Sequence, residues 1–587
     1  MPAGRCGWSA AEFTPGGSFV AGSNPHQRRP AALFHTALCQ RQVGVIVPSH
    51  PARTGSGLDP TYYSSGATRF CSDRRQKKNM AETTQQHAAD APMSATRRVL
   101  ILISAMLSVA LYFSSILVAS TVLPQMQGSF SATPDEISWT MTFNILATAI
   151  AMPMTGWLSA RFGRSTVMIW STGIFTLATA LCGFATTLET MILWRIVQGA
   201  AGAPCVPLAQ TILLDTFPPR QHRMVLGVYG MGVVLGPIIG PALGGYLAEI
   251  LNWRWAFFLL IPVGIAATVG LAATLPSDHK RGPVHLSWVG FILLSLALGG
   301  LQLALSRGQR LDWFESNEIR ITLFIAVVAF YLFLAHSLTS RRPFLDLRLL
   351  LDRNYSLGLA LIAIFGMLNF TPMVLLPPLM RVYMGYPDVL VGQVVGARGL
   401  GGLLGFFAVI FLSRLDPRVS VGIGFALQLV AGIWLMRIDL NVTPLELGFN
   451  GAVQGLSSGI IVVALTLVTF ANIPRDRMPE ATAVYHLLRN IGASLFISVC
   501  VAEVVRSTGV NYAVLSELIS PYNRTLALPW AVGPLDTSSP ASLARLSGEI
   551  SRQAAMIAHL NAFGLYSAVA AVSVPLVLLL RNYRKAA

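Results

Sequence analysis

Charged side chains are scarce in this chain. Only 12% of its 587 residues are Asp, Glu, Lys or Arg, whereas 53% are hydrophobic and the mean hydropathy is +0.59. Soluble domains carry about 25% charged residues, so this composition excludes an ordinary soluble protein and indicates a polytopic membrane protein. The net charge of +16 does not predict a nucleic-acid partner, because the basic residues lie in short loops between apolar segments.

Cysteine is also scarce, and no two cysteines form a CxxC pair or a Cys/His cluster. Neither a metal site nor a disulfide framework is therefore predicted, and we expect no cofactor. The six cysteines lie apart, at Cys6, Cys39, Cys71, Cys182, Cys205 and Cys500. A Walker A pattern is missing, so ATP-driven transport has no support. Without an acid/His cluster or a sizeable soluble domain, we expect neither an enzyme nor a sensor.

The first 96 residues lack an apolar run long enough to cross a membrane. They are rich in Gly, Pro, Ser, Arg and Gln, and without an apolar h-region they are not a standard signal peptide. Either translation starts at Met80 or Met93, or residues 1–96 are a disordered N-terminal extension. Neither interpretation adds a function.

Apolar segments of about 20 residues, the length that crosses a bilayer, recur along the rest of the chain. Fourteen of them are predicted, which indicates an all-α membrane protein. They lie at 99–121, 137–158, 166–186, 190–214, 224–248, 254–275, 286–305, 319–338, 356–380, 389–412, 419–437, 448–472, 481–505 and 562–580. An even number puts both termini on one side. The short loops of that side hold nineteen Lys and Arg residues against six on the other, which predicts cytoplasmic termini.

Part of the chain is repeated at a constant offset of 256 residues. Seven identities map the fourth and fifth predicted spans onto the twelfth and thirteenth. The pairs are Gln198/Gln454, Gly199/Gly455, Val206/Val462, Pro218/Pro474, Val228/Val484, Tyr229/Tyr485 and Gly236/Gly492. A step of eight spans predicts two six-helix bundles, at 97–275 and 356–582, joined by two linking helices at 286–338. A long outer loop is expected at 506–561.

The fifth predicted span holds an unusual run of glycine and proline. The stretch from Gly230 to Gly245 contains six glycines and two prolines. Glycine lets a neighbouring backbone come close, and proline weakens or kinks a helix. We therefore predict close packing and a bend at the interface between the bundles.

This run resembles the antiporter motif of major-facilitator drug exporters, GxxxGPxxGPxLGG. Its matching positions are Gly232, Gly236, Pro237, Gly240, Pro241, Gly244 and Gly245. Residues 193–202 resemble the family's fourth-helix motif, with Arg195, Gln198, Gly199 and Gly202 in place. Residues 156–164 resemble its loop motif, with Gly156, Arg161, Gly163 and Arg164 in place. With fourteen spans, the chain is similar to EmrB/QacA-type drug:proton antiporters, and most similar to the EmrB-like members.

The resemblance implies the major facilitator fold and a multi-pass multidrug exporter of the cytoplasmic (inner) membrane, driven by the proton-motive force. Its cargo would be hydrophobic or amphipathic drugs and protons. A dedicated exporter of one metabolite, such as a siderophore, an antibiotic or a dipeptide, is the alternative. EmrB-like exporters also imply an EmrA-like periplasmic adaptor and an outer-membrane channel, for which the loop at 506–561 is the expected docking surface.

Two positions depart from the family pattern. Ala160 replaces the acid of the loop motif, and Ser115 stands where the first span commonly carries a proton-coupling Asp. Proton coupling is therefore expected from other ionisable residues, because a charge inside hydrocarbon is costly and is seldom placed there without a function.

Four residues are candidates for that coupling. Arg195 either relays a proton, as the resemblance implies, or clamps two helices. Glu503 either carries a proton or is an interfacial, ionised glutamate. His486 and Arg489 are three residues apart and share a helix face. The histidine either titrates near neutral pH or makes a buried neutral hydrogen bond.

Substrate contacts are expected from side chains that adapt to many shapes. Met367, Phe370 and Met373 are candidates for lining an apolar cavity near the middle of the membrane, with packing against lipid as the alternative. Arg398 lies among glycines and either attracts anionic substrates or anchors helices through hydrogen bonds. In the loop motif, the two arginines either pin one transport state through contacts between the bundles or reflect positive-inside bias alone.

Overall fold

The computed structural model describes residues 94–276, 285–341, 343–412, 415–520 and 539–581, except the side chains at 134, 237, 239, 241, 242 and 388. Residues 1–93 of the predicted extension, which include both candidate starts, lie outside the described residues, and the last two residues of the extension, Ala95 and Thr96, are helical. The first bundle consists of α1 (Ala95–Thr121), α2 (Leu123–Ser129), α3 (Pro134–Ala151), α4 (Met154–Phe162), α5 (Arg164–Phe184), α6 (Leu188–Gly202), α7 (Cys205–Thr216), α8 (His222–Ile250), α9 (Trp253–Phe258) and α10 (Leu260–Thr274). The linking helices are α11 (Trp288–Arg307) and α12 (Asn317–Thr339). The second bundle consists of α13 (Arg353–Pro378), α14 (Asp388–Phe411), α15 (Pro417–Leu435), α16 (Pro444–Thr469), α17 (Met478–Glu517) and α18 (Pro540–Leu578).

Helices account for all the regular structure in the described ranges, as the all-α prediction requires. Twelve helical stretches there are long and apolar enough to cross a membrane, and α3 with α4 makes a thirteenth that bends by 57°. The glycine-rich α8 has 29 residues and is about 44 Å long, which is also sufficient. Each of the fourteen predicted segments overlaps one of these helices or helix pairs. The fold is confirmed, while the length and hydropathy criteria give twelve or thirteen spans rather than fourteen.

The segment 506–561 is not the long loop that the sequence predicts. α17 continues to Glu517, and α18 already begins at Pro540. With 40 and 39 residues, each helix is about 60 Å long, twice the hydrocarbon thickness of about 30 Å. The extensions contact each other, since the Tyr512 hydroxyl lies 2.9 Å from Ser547 Oγ. Hydropathy alone misses them because they are polar helices.

Buried apolar side chains form one large core cluster in each bundle. The first extends from Ile101 to Leu275 and the second from Tyr355 to Leu580. Phe406 on α14 belongs to the first cluster although it is a residue of the second bundle. Packing is therefore continuous across the bundle interface.

The linking helices cover one side of this interface. Leu294 and Leu298 of α11 pack with Met152 near the α3–α4 bend and with Leu487 of α17. α12 packs mainly on α11. Only 22% of the residues in its most apolar 18-residue stretch are buried. It is therefore the most peripheral of the candidate spans, with most of its apolar surface available to lipid.

Helix contacts support the internal repeat. A Cβ at Gly236 on α8 would stand 2.5 Å from the Ala110 carbonyl oxygen on α1. A Cβ at Gly492 on α17 would overlap the Ala363 carbonyl oxygen on α13 in the same way. The two glycines thus let equivalent helix pairs approach in the two bundles, as small residues do in membrane helices.

Candidate functional site

The start of α1 and the end of α18 lie at one face of the described structure, here called the terminal face. Arg97 Nε at the start of α1 donates to the Thr274 carbonyl at the end of α10, at 2.7 Å. The Arg581 N–H beyond α18 donates to Asn354 Oδ1 at the start of α13, at 3.0 Å. The two bundles meet through polar contacts near this face.

Arg164 joins the bundles at the terminal face. Its guanidinium forms an ion pair with Asp215 at the end of α7 and donates to the Arg475 carbonyl just before α17. The preceding Gly163 has a φ of 90°, so the turn between α4 and α5 favours a residue without Cβ. Arg161 is exposed and takes part in no ion pair with a described residue. Of the two loop arginines, the structure therefore places Arg164 between the bundles.

A second contact at this face joins α4, α17 and the segment before α13. A Cβ at Gly156 would stand 3.0 Å from Glu480 Cβ. The Glu480 carboxylate accepts the Asp346 N–H at 2.8 Å, and the Asp346 carboxylate pairs with Arg477. Partial burial acts to raise the pKa of Asp346, but the Arg348 N–H and the Arg477 guanidinium outweigh it and lower that pKa. The hydrogen bond to Asp346 in turn raises the pKa of Arg477.

Deeper in the same half, a hydrogen-bond chain crosses from α7 to the second bundle. Gln210 Nε2 donates to Thr466 Oγ1 at 3.1 Å, and Gln210 Oε1 lies 2.6 Å from His486 Nε2. Because Oε1 only accepts, Nε2 carries the histidine hydrogen, and the buried Nδ1 has no partner. His486 therefore makes a buried hydrogen bond, which is one of the two alternatives that the sequence offered. The Thr211 and Thr482 hydroxyls, 3.0 Å apart, add a neighbouring contact.

Arg223 on α8 supplies another bond between the bundles. It donates to the Leu412 carbonyl at 2.9 Å and to the Leu415 carbonyl at 3.0 Å, between α14 and α15. Together with the contacts of Arg164 and Gln210, these bonds lie in the terminal half of their helices. The terminal half is therefore closed in this conformation.

Arg489, one turn beyond His486, also reaches the first bundle. Its guanidinium carbon lies 5.8 Å from the centre of the Phe113 ring on α1, and Nη2 lies 3.3 Å from Asn490 Oδ1. His486 and Arg489 therefore both contact the first bundle. Arg489 forms no ion pair with any carboxylate among the residues that the structure describes.

Most of the glycine run packs within the first bundle, against α1, rather than at the interface between the bundles. α8 is one continuous helix through Pro237 and Pro241. Its glycines recur every four residues and present one face to α1. The facing pairs are Gly232/Met106, Gly236/Ala110, Gly240/Ser114 and Gly244/Val118, and Gly245 lies against Thr121. The Ser114 hydroxyl also donates to the Gly236 carbonyl, at 2.9 Å.

One glycine of the run, Gly230, and one glycine of α14, Gly399, form the close contact between the bundles. The Phe406 ring of α14 fills the space beside Gly230 on α8, where a Cβ would overlap it. In return, Ile238 of α8 fills the space beside Gly399 on α14. Each helix thus inserts a side chain into a gap on the other. Of the run, Gly230 lies at this interface, opposite α14, whereas the glycines from Gly232 to Gly245 face α1.

Arg195 is fully buried on α6. Its Nη1 donates to Gln198 Oε1 at 2.7 Å, and its guanidinium carbon lies 5.0 Å from the centre of the Phe257 ring. Its Nε and Nη2 have no hydrogen-bond partner. Two unsatisfied nitrogens on a buried cation are costly, and they make Arg195 responsive to any acceptor that reaches it.

The rest of the fourth-helix motif packs α6 against its neighbours. Asn144 Nδ2 on α3 donates to the Arg195 carbonyl at 2.9 Å. A Cβ at Gly199 would overlap the Asn144 carbonyl oxygen, and a Cβ at Gly202 would stand 2.8 Å from the Tyr112 ring. The motif therefore combines one buried guanidinium with two close helix contacts.

Arg398 lies at the corresponding depth in the second bundle. It donates to Gln454 Oε1 on α16 and, at 3.2 Å, to Asn369 Oδ1 on α13. Gln454 Nε2 donates to Asn450 Oδ1 at 2.7 Å, and the Ser458 hydroxyl donates to Asn369 Oδ1 at 2.9 Å. The structure thus places Arg398 among protein oxygens contributed by two other helices.

The remaining sequence candidates lie on α13 and α17. Met367, Phe370 and Met373 flank Asn369 on α13 and are half-buried. Glu503 is half-buried on α17, about 37 Å along the helix from Met478 and so near the opposite face. No three His, Cys, Asp or Glu side chains of the described ranges converge as a metal site.

Sequence reasoning missed several partners of these residues. Gln454 had a signal, because it repeats Gln198 at the 256-residue offset. Asp215, Glu480 and Gln210 had none, since each lies far along the chain from the residue that it contacts. Only the packing of the helices brings them together.

Comparison with known proteins gives four findings. The Major Facilitator Superfamily profile matches residues 105–497. The chain is 31% identical to Multidrug export protein EmrB of Haemophilus influenzae over 431 residues, which cover 72% of this chain and 84% of the relative. It is 30% identical to Multidrug export protein EmrB of Escherichia coli K12 over 441 residues, which cover 74% of this chain and 85% of the relative. The crystal structure of the human organic anion transporter MFSD10 (TETRAN) aligns with a TM-score of 0.55 and 13% identity, covering 82% of this chain and 99% of that one, and shows the fold alone.

Proposed function

Since the chain belongs to the Major Facilitator Superfamily and is EmrB-like, we propose that it is a multidrug efflux transporter that exchanges drugs for protons across the cytoplasmic membrane. One observation carries the proposal. The two bundles are joined by polar bonds in the terminal half and by interlocking side chains of α8 and α14 near the middle. Bundles that meet through breakable polar bonds can rock about the interface between them. The names of the relatives favour several drugs over a single metabolite.

The closed terminal half defines one state of this cycle. If both termini are cytoplasmic, the conformation is closed to the cytoplasm and its binding region is directed outward. The bonds of Arg164, Arg223 and Gln210 then form the gate that must break for drug to enter from the cytoplasm. A drug moves the equilibrium only by binding the two states with different affinity.

His486 is the residue best placed to link this gate to protons. It accepts no hydrogen bond at Nδ1, and Arg489 lies one turn away. A second proton would leave a charged, buried N–H without a partner beside another cation. Protonation would therefore oppose the closed terminal half and favour its opening. This assignment does not require the first-span acid that Ser115 replaces.

Proton flux in proteoliposomes tests both proposals. With an imposed pH gradient, we expect chemically unrelated cationic and neutral drugs to move protons through the wild type. We expect His486→Gln to reduce this flux to about one tenth of the wild-type value, which corresponds to about 1.4 kcal/mol. Glu503→Gln is the matched control, and we expect it to keep the wild-type flux because Glu503 lies near the membrane edge.

Other outcomes would assign proton coupling to a different residue or contradict the proposed function. Loss of flux in Glu503→Gln but not in His486→Gln would place the coupling acid at Glu503. Normal flux in both variants would direct attention to Arg195. Folded wild-type protein that shows no flux with any drug would contradict the multidrug antiporter and favour a dedicated exporter.

Both termini are proposed to be cytoplasmic, as the loop charges indicate. Green fluorescent protein fused after Ala587 is therefore expected to fluoresce in cells, because it folds in the cytoplasm. Alkaline phosphatase inserted after Trp313, between α11 and α12, is expected to be active, because that turn lies on the opposite face. The reverse pattern would contradict the orientation and would make the closed face the outer one.

The helical extensions support an adaptor-dependent pathway. Under this orientation, α17 and α18 project beyond the membrane on the outer side. Arg552 Nε braces α18 by donating to the Tyr383 carbonyl at 2.9 Å, while Val510 and Val514 form an exposed apolar pair one turn apart on α17. We propose this hairpin, rather than a loop, as the surface for a periplasmic adaptor that leads to an outer-membrane channel.

A further inference from the structure

The repeated Gln-Gly pair makes the same helix contact in both bundles. A Cβ at Gly199 would overlap the carbonyl oxygen of Asn144 on α3. A Cβ at Gly455, its counterpart at the 256-residue offset, would overlap the carbonyl oxygen of Arg398 on α14. Position 398 in the second bundle therefore corresponds in space to position 144 in the first.

The glutamine beside each of these glycines accepts a hydrogen bond from a guanidinium. Gln198 Oε1 accepts from Arg195 Nη1, three residues earlier on the same helix. Gln454 Oε1 accepts from Arg398 Nη1 on the neighbouring helix. The acceptor is repeated, whereas the donor comes from a different helix in each bundle.

The residue types at the two donor positions are complementary. The repeat aligns Arg195 with Gly451, which has no side chain, and the structure aligns Asn144 with Arg398. A Cβ at Gly451 would stand 3.4 Å from Arg398 Cβ, so the arginine side chain starts beside the vacant position. In the first bundle, the equivalent Asn144 amide donates to the Arg195 carbonyl at 2.9 Å and lies 3.4 Å from Gln198 Oε1.

We propose that Arg398 is the second bundle's counterpart of Arg195, transposed from the helix of the repeated glutamine to the helix packed against it. In each bundle, one guanidinium then donates to the repeated glutamine and positions the helices that transport requires. Arg398 binds α14 to α16 and, through Asn369, to α13. The adjacent Gly399 receives Ile238 of α8, so the guanidinium holds α14 in register at the bundle interface.

This proposal rests on the transport function proposed above. It predicts that the guanidinium can be moved between the two donor positions, which a simple helix clamp does not predict. If the two arrangements are equivalent, the second bundle should accept that of the first. Arg398→Asn with Gly451→Arg recreates it, because Arg at 451 lies three residues before Gln454, as Arg195 lies before Gln198. Arg398→Asn alone removes the guanidinium, and Arg437→Asn, at an exposed position, is the matched control.

Drug-driven proton flux and thermal melting of each purified variant test the proposal. We expect Arg398→Asn to lower the maximal rate by about tenfold with little change in KM, because α14 shifts while the side chains that bind the drug stay intact. We expect the double variant to return to within about threefold of the wild-type rate. The Arg437→Asn control should match wild type.

Two results would overturn the proposal. One is wild-type flux in Arg398→Asn, and the other is a folded double variant no faster than the single one. If the double variant fails to fold, the reciprocal change in the first bundle is tested instead. It combines Asn144→Arg with Arg195→Gly. Rescue relative to Arg195→Gly supports the proposal, and failure to fold or to rescue rejects it. Absence of drug flux in the wild type would instead contradict the proposed function. The melting temperatures would still show whether the second bundle tolerates the arginine at position 451 in place of the one at position 398.

Discussion

Replacing Arg164 by alanine is expected to open the terminal half and to reduce drug efflux by about tenfold. The change removes the ion pair with Asp215 and the bond to the Arg475 carbonyl. Both partners of the pair are largely buried, with side chains 19% and 27% exposed, so solvent screens them only in part. Hydrogen bonds to charged groups contribute about 1.5–3 kcal/mol each, enough to change the population of the closed state by at least tenfold.

The opening is measured with a cysteine in the closed region. Thr482→Cys, in a background without other cysteines, lies where Thr211 meets α17 and is fully buried. In proteoliposomes, we expect its reaction with a small maleimide to be at least about tenfold faster when Arg164 is alanine, matching the population change.

Arg161→Ala is the control for the Arg164 variant. It removes the same charge from the same loop, but Arg161 is exposed and forms no ion pair with a described residue. We expect its labelling rate and its efflux to equal those of wild type. Equal labelling rates for the two alanine variants would mean that loop charge, rather than the contact between the bundles, acts at this face.

Replacing Gly455 by alanine is expected to cause a large loss of stability for the addition of a single methyl group. Its Cβ would overlap the Arg398 carbonyl oxygen, and a backbone atom in a packed helix cannot move away alone. Overpacking of this kind costs about 1–3 kcal/mol, and separating α14 from α16 also strains the bond from Arg398 to Gln454. We expect the melting temperature in detergent to fall by about 1–3 °C.

Gly448→Ala is the matched control, two turns earlier on α16. Its Cβ would stand 3.6 Å from Ala397 Cβ, an ordinary contact. Alanine is also a better helix former than glycine, by about 0.5–1 kcal/mol, so we expect an unchanged or higher melting temperature. Equal melting temperatures for the two variants would contradict the close approach of α14 and α16 at Gly455.

The helices and the family could be predicted from the sequence, because each depends on local information. A bilayer requires about 20 apolar residues for each span, and fourteen such segments coincide with helices. The motif residues from Arg195 to Gly202 and from Gly232 to Gly245 are recognised by their order along the chain. By contrast, the helices within 506–561 were missed because they are polar, and hydropathy detects only apolar spans.

The sequence by itself determined the membrane class, the helical fold, the family and the positions of small residues that allow close packing. Only the tertiary structure decided which helix each small residue faces, so that Gly236 contacts α1 while Gly230 and Gly399 join the bundles. It also decided the partners of Arg164, His486 and Arg398. The physical reason is that hydropathy and helix geometry act over a few neighbouring residues, whereas a contact between helices joins residues far apart along the chain and depends on how all the helices pack.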